Sequence, residues 1–188
     1  KRLSTESLLY RRNEYRSLRP MPILVSPSLP SDLMPDAFLS GANARSRLQR
    51  LLRASRRALS ANSRLAILLF ELDKFHGLFD LCGPAGIDRL LHIIDHDRLS
   101  RLGDIQKMHI GGGAFICLVP FADDNDLADS IDQLRTILSE PMWIDLHIVH
   151  LTVAIGVVIA QADDLADNLL HAASLALTHA QRAGENMV

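Results

Sequence analysis

Ile110-Gly111-Gly112-Gly113-Ala114-Phe115 joins two apolar runs, Ile105-Gln106-Lys107-Met108-His109-Ile110 before it and Phe115-Ile116-Cys117-Leu118-Val119-Pro120 after it. Both runs read as strands, apolar, partly β-branched and bounded by turn formers. Glycine reaches φ > 0 without the clash a Cβ would cause, so this spacing predicts a tight hairpin over residues 105–119. Outward from it, residues 65–72 form another apolar run, ending in Glu71-Leu72-Asp73-Lys74-Phe75. That run predicts a strand buried on both faces. Glu71 and Asp73 are two apart, so strand alternation sends both side chains to one side at its C-terminal end. Mg²⁺ is commonly held by one or two carboxylates plus substrate phosphates, so a carboxylate pair beside a glycine hairpin suits a metal-bound nucleotide. Here the hairpin itself carries no acid.

The rest of the chain alternates helices with strands. Residues 42–61 predict a helix with Leu48, Leu51, Leu52 and Leu59 on one face and Arg50, Arg53 and Arg57 in a stripe on the other. Cys82-Gly83-Pro84-Ala85-Gly86 predicts a turn, residues 87–99 and 123–138 helices, and 146–160 a strand. A last helix is expected over 164–182, with Gly184 as its C-cap. The order helix, strand, helix, strand–strand, helix, strand, helix predicts an α+β sandwich, a mostly antiparallel sheet flanked by helices. Residues 20–35 hold five of the eight prolines, which excludes a helix there. Residues 1–35 are therefore expected to form a basic helix and linker, and 36–188 the domain. Lys1 in place of a start methionine leads us to expect a piece of a longer chain.

The composition narrows the function classes. A formal net charge of −2 supplies no overall attraction to nucleic acid or anionic lipid, so neither is expected as a partner. No apolar run reaches transmembrane length, and Cys82 and Cys117 sit in apolar segments without metal-type spacing. Reduced cysteines and a cytoplasmic location follow as expectations. His92-Ile93-Ile94-Asp95-His96 has a superficial likeness to a zinc-protease motif but lacks a third ligand, and His147 and His150 fall on opposite sides of the expected strand. Gly111-Gly112-Gly113 lacks the lysine and Ser/Thr of a phosphate loop.

Six stretches in order give the chain from about Leu39 to Val188 a broad resemblance to the GGDEF, or diguanylate cyclase, family. The family's opening motif, roughly L-T-G-L-x-N-R, resembles Leu39-Ser40-Gly41-Ala42-Asn43-Ala44-Arg45, and its D-[IL]-D-x-F-K-x-x-N-D resembles the ten residues from Glu71 to Asp80. G-H-x-x-G-D is similar to Gly83-Pro84-Ala85-Gly86-Ile87-Asp88, and G-G-[DE]-E-F to Gly111-Gly112-Gly113-Ala114-Phe115. V-T-x-S-I-G is matched by Leu151-Thr152-Val153-Ala154-Ile155-Gly156, and the closing motif by the fourteen residues from Ala173 to Asn186. The resemblance implies a polymerase-like palm of the kind that condenses two GTP molecules to cyclic di-GMP.

The departures from the family pattern carry as much information. The family's two metal-clamping acids correspond to Glu71 and Gly113, its second hairpin acid to Ala114, and its guanine-reading asparagine to Phe79 beside a surviving Asp88. The phosphate-contacting cations correspond to Gln181 and Glu185. Phosphoryl transfer rests on metal and cationic stabilisation, so these losses imply a catalytically inactive domain with no catalytic residues, metal or cofactor. A remnant nucleotide site of Gly111, Gly112, Gly113, Asp88, Glu71 and Asp73 is expected. Arg101 and Asp104 have the form of the family's inhibitory R-x-x-D, displaced by one residue. The expected role is regulation or interaction in cyclic di-GMP signalling, with neighbouring EAL-like and sensory domains or a second copy as partners. The alternatives are a sensing domain that binds GTP or cyclic di-GMP weakly, and a very weak cyclase acting through Glu71 and Asp73.

Overall fold

The computed structural model describes residues 42–103, 105–184 and 187–188. The expected basic helix and linker of residues 1–35 lie outside them. Helix α1 (Ala42–Ala58) leads to strand β1 (Arg64–Leu72), followed by helix α2 (Phe75–Ile93). A π-helical turn (Ile94–Arg98) and a 3-10 turn (Leu99–Leu102) carry the chain to β2 (Gln106–Gly111) and β3 (Ala114–Phe121). Helix α3 (Asp124–Ser139), the short strands β4 (Met142–Ile144) and β5 (His147–Val149), strand β6 (Val153–Ala160) and helix α4 (Ala166–Ala183) complete it.

The main sheet has the order β2-β3-β1-β6, and every neighbouring pair is antiparallel. β1 is central, as its unbroken apolar run predicts, and its alternation sorts the core into two layers. Ala66, Leu68, Phe70 and Leu72 join Phe115, Cys117 and Ile155 beneath α2 and α3. Leu65, Ile67 and Leu69 join Ile116, Leu118 and Ala154 beneath α1 and α4. This is the expected sandwich. α4 crosses β6 so closely that a Cβ on Gly156 would lie 2.4 Å from both the Ala173 carbonyl oxygen and the Leu177 nitrogen. Past α4, the Ile155 N–H donates to the Met187 carbonyl at 2.8 Å, so the chain returns to the edge of β6. No helix among the described residues is long and apolar enough to cross a membrane.

Three expectations need correction. The turn at 82–86 is absorbed into α2, where only Gly83 leaves helical geometry (φ 64°, ψ 178°). Pro84 begins the second part of the helix, a position that tolerates its missing N–H. The strand over 146–160 is divided into β5, which pairs with β4 in a hairpin turning at Asp145 (φ 53°), and β6. The helix over 87–99 starts earlier, within α2, and ends in the π and 3-10 turns. Those turns are held by Arg98, whose buried guanidinium donates to the Ile137 and Pro141 carbonyls at 3.2 and 3.1 Å and pairs with Glu140. It thereby satisfies the Ile137 carbonyl in the last turn of α3, which the helix itself leaves open, and the Pro141 carbonyl just past it.

Candidate functional site

The register of β1 against β3 places Glu71 opposite Ala114 and Phe70 opposite Phe115. The hairpin tip is brought to the end of β1 by one bond, from the Leu72 N–H to the Gly113 carbonyl at 3.0 Å. Gly111 (φ 125°) and Gly112 (φ 53°) make the turn. The His109 Nε2 donates to the Gly112 carbonyl at 2.9 Å, which fixes its tautomer, and its ring lies 4.7 Å from that of Phe115. On the other side of β1, the Asp73 N–H donates to the Thr152 carbonyl at 2.9 Å. The backbone thus brings Gly113 to the end of β1, as the glycine run predicts, whereas Asp73 lies one residue past that strand, where alternation no longer sets its side chain.

The chemistry at the end of β1 is set by what faces Glu71. Its Oε2 accepts a hydrogen bond from the Gln181 amide at 2.8 Å, joining the end of β1 to the last turn of α4. Gly113 is buried, and a Cβ there would come within 2.8 and 2.9 Å of Phe75 ring atoms and 3.1 Å of the Leu72 Cβ. An acid at this position needs Phe75 to move. The hairpin thus offers backbone and a methyl group, Gly113 and Ala114, where the family pattern has carboxylates. Among the described residues, no three His, Cys, Asp or Glu side chains are grouped to hold a metal ion.

Other predicted residues are placed elsewhere. Asp88 is exposed on α2 beyond the Gly83 break, with no hydrogen bond or ion pair among the described residues, and Phe79 is half-exposed on the first part of that helix. Arg101 is engaged within the domain, donating to both oxygens of Glu140 at 2.5 and 2.8 Å. Those bonds raise the Arg101 pKa and, with the charge of Arg98 added, hold the Glu140 carboxyl below its usual range. Asp104 and Glu185 lie outside the described residues. The imidazoles of His92 and His96 are stacked 4.2 Å apart, so their ring nitrogens run side by side instead of meeting at a metal. A cleft of about 200 Å³ lies between Arg53 and Arg56 of α1 and residues 162–166.

The sequence did not point to Gln181 as the partner of Glu71, nor to Arg98. A contact across 110 residues has no local periodicity to betray it. For Arg98 the available signal was a single arginine at the end of an apolar helix pattern, which is usually a solvated charge.

The family described as diguanylate cyclase, GGDEF domain, matches residues 38–187. Over 139 residues the chain is 27% identical to the bifunctional diguanylate cyclase/cyclic di-GMP phosphodiesterase MucR of Pseudomonas aeruginosa. That match covers 73% of this chain but only 20% of MucR, so the chain spans about a fifth of that relative's length. A sensory box/GGDEF family protein from Caulobacter crescentus superimposes with a TM-score of 0.65 at 27% identity, covering 74% of this chain and 93% of that one. The GGDEF domain of YfiN (TpbB) from Pseudomonas aeruginosa gives 0.64 at 26% identity, covering 77% and 91%.

Proposed function

The chain belongs to the GGDEF family, and from that premise we propose that it is a catalytically silent member, acting as a regulatory and interaction module in cyclic di-GMP signalling. The observation that carries this reading is the pairing at the end of β1. Glu71 faces Ala114 across the ladder, meets no acid at Gly113, and accepts a hydrogen bond from the Gln181 amide on its carboxylate. A metal clamp between β1 and the hairpin needs a carboxylate from each side, and these residues offer one side only. They do not fit the ion. Without metal and cationic groups on the triphosphate, the developing charge of phosphoryl transfer has nothing to stabilise it.

The test is direct. The purified domain with GTP and Mg²⁺ is expected to form no cyclic di-GMP by chromatography. Product from the wild type that disappears in Glu71→Ala would overturn the proposal. The double change Gly113→Asp with Ala114→Glu is expected to stay inactive, because Phe79, Gln181 and Glu185 still stand where the family has its base- and phosphate-contacting groups.

MucR, named for both making and degrading cyclic di-GMP, supports placing this domain beside an EAL-type phosphodiesterase in its parent protein. Deleting the domain from the parent is then expected to change the neighbour's output. A second reading, a nucleotide sensor, is favoured by one observation: Asp88 is exposed and unengaged. GTP is nonetheless expected to bind weakly. Calorimetry giving micromolar affinity that is lost in Asp88→Ala would move the assignment to the sensor.

A further inference from the structure

The charges of this nearly neutral chain are sorted between two helices on opposite faces of the sheet. α1 carries Arg45, Arg47, Arg50, Arg53, Arg56 and Arg57 and no acid. Two of them serve the fold: Arg45 lies 3.6 Å from Asp167, and Arg56 donates to the Gln161 and Asp164 carbonyls at 2.7 and 3.2 Å. Arg47, Arg50, Arg53 and Arg57 are exposed and form no ion pair among the described residues. α3 is the reverse, with Asp124, Asp126, Asp129 and Asp132 against the single base Arg135. Asp124 is taken by Arg64 and Asp126 by the Ala122 N–H, whereas Asp129 is exposed with no ion pair among the described residues and Asp132 pairs with Arg135 within the same helix at 3.9 Å.

The exposed arginines and aspartates match in spacing. Arg50 and Arg53 are three residues apart, as are Asp129 and Asp132, about 4.5 Å along each helix axis. Arg57 and Thr136 continue each row by four, so each set forms one stripe along an exposed helix face. α1 lies on the layer of Leu48 and Leu52, and α3 on the layer of Leu127 and Leu134, with the sheet between them.

We propose that copies of this chain associate head to tail, the arginine stripe of α1 in one copy seated on the aspartate stripe of α3 in the next. The two stripes lie on opposite faces, so a two-fold pair does not bring both contacts together at once. The contact is heterologous, and it builds a ring or a stack. It rests on the interaction-module reading and gives that reading a partner, a second copy. Exposed ion pairs contribute little singly and are screened by salt, so the assembly is weak, ionic-strength dependent and suited to adjustment.

Sedimentation velocity on the full chain tests it, at about 50 mM and about 500 mM NaCl, where the Debye length falls from roughly 14 Å to roughly 4 Å. Assembly is expected at low salt, weakened at least about tenfold at high salt. Arg50→Glu with Arg53→Glu, and separately Asp129→Lys with Asp132→Lys, should each sediment as monomers. Their equimolar mixture should assemble again, since one supplies only acidic stripes and the other only basic ones. Circular dichroism checks the fold, and the Gln and Asn versions of the same pairs serve if a reversal disturbs it. A wild type monomeric at low salt, or assembly unaffected by either pair, overturns the proposal. So does a mixture that stays monomeric, which would assign the arginine stripe to an acidic partner of another kind. None of these failures touches the inactivity test, which reads GTP turnover.

Discussion

Glu140 is the residue on which two cations depend, Arg101 at the surface and Arg98 beneath it. Its carboxyl is held below the usual range, first by hydrogen bonds from Arg101. A depressed carboxyl stabilises the fold above its unfolded value of about 4.3, and that contribution is lost as pH falls through the folded value. Denaturant titrations of Glu140→Gln are therefore expected to show lower stability than wild type at neutral pH, with the difference closing below about pH 4. The loss should be modest, because Glu140 and Arg101 are solvent-exposed. Arg98 differs, since its side chain is only 10% exposed. Arg98→Ala leaves the Ile137 and Pro141 carbonyls without this donor and Glu140 with Arg101 alone, and is expected to cost about 1–3 kcal/mol in the same titrations. Burial pushes the Cys117 thiol up to about 12, so it should resist thiol reagents until the chain unfolds. The placing of the hairpin glycines beside Glu71 was legible at this scale because strand pairing and glycine turns follow local rules. Gln181 was hidden, because it reaches Glu71 only through the crossing of α4.

The elements that sequence reading placed best are those with one strong signal, a helical period with one buried face in α1 and α3 and an unbroken apolar run in β1 and β3. The first half of α2 was missed for a physical reason: Phe79 and Leu81 are exposed there, so its apolar residues follow no amphipathic pattern. Gly83-Pro84 also imitates a turn while supplying only one non-helical residue. The β4–β5 turn was missed because Asp145 takes positive φ without the usual glycine beside it. Conversely, Gly156 marks a close approach that is plain only in three dimensions. Gly156→Ala drives a methyl group into the backbone of α4, and is expected to destabilise by about 1–3 kcal/mol or more in thermal or denaturant unfolding. Gly184→Ala, strained by its φ of 131° but in open space, serves as a comparison that tests backbone conformation without crowding.

At the scale of the molecule, the family pattern was readable because six short motifs kept their order, and the fold bears it out. The proposal that it is silent as an enzyme rests on particular positions that the same motifs identify, Gly113 and Ala114 above all. The division of charge between α1 and α3 needed the structure, since sequence alone does not tell which faces of the sheet the helices occupy. Arg50→Glu with Arg53→Glu should leave the melting temperature nearly unchanged, because exposed charges contribute little to stability. The output of the full-length parent should nonetheless shift in the same variant. The return of the chain to β6 has a mechanical meaning as well. Met187 is bonded to Ile155, whose neighbours pair with the central strand, so a pull at Val188 bypasses α4 and loads the sheet almost at once. The segment past α4 is a handle on the sheet, and tension there meets one peptide hydrogen bond before anything larger gives way.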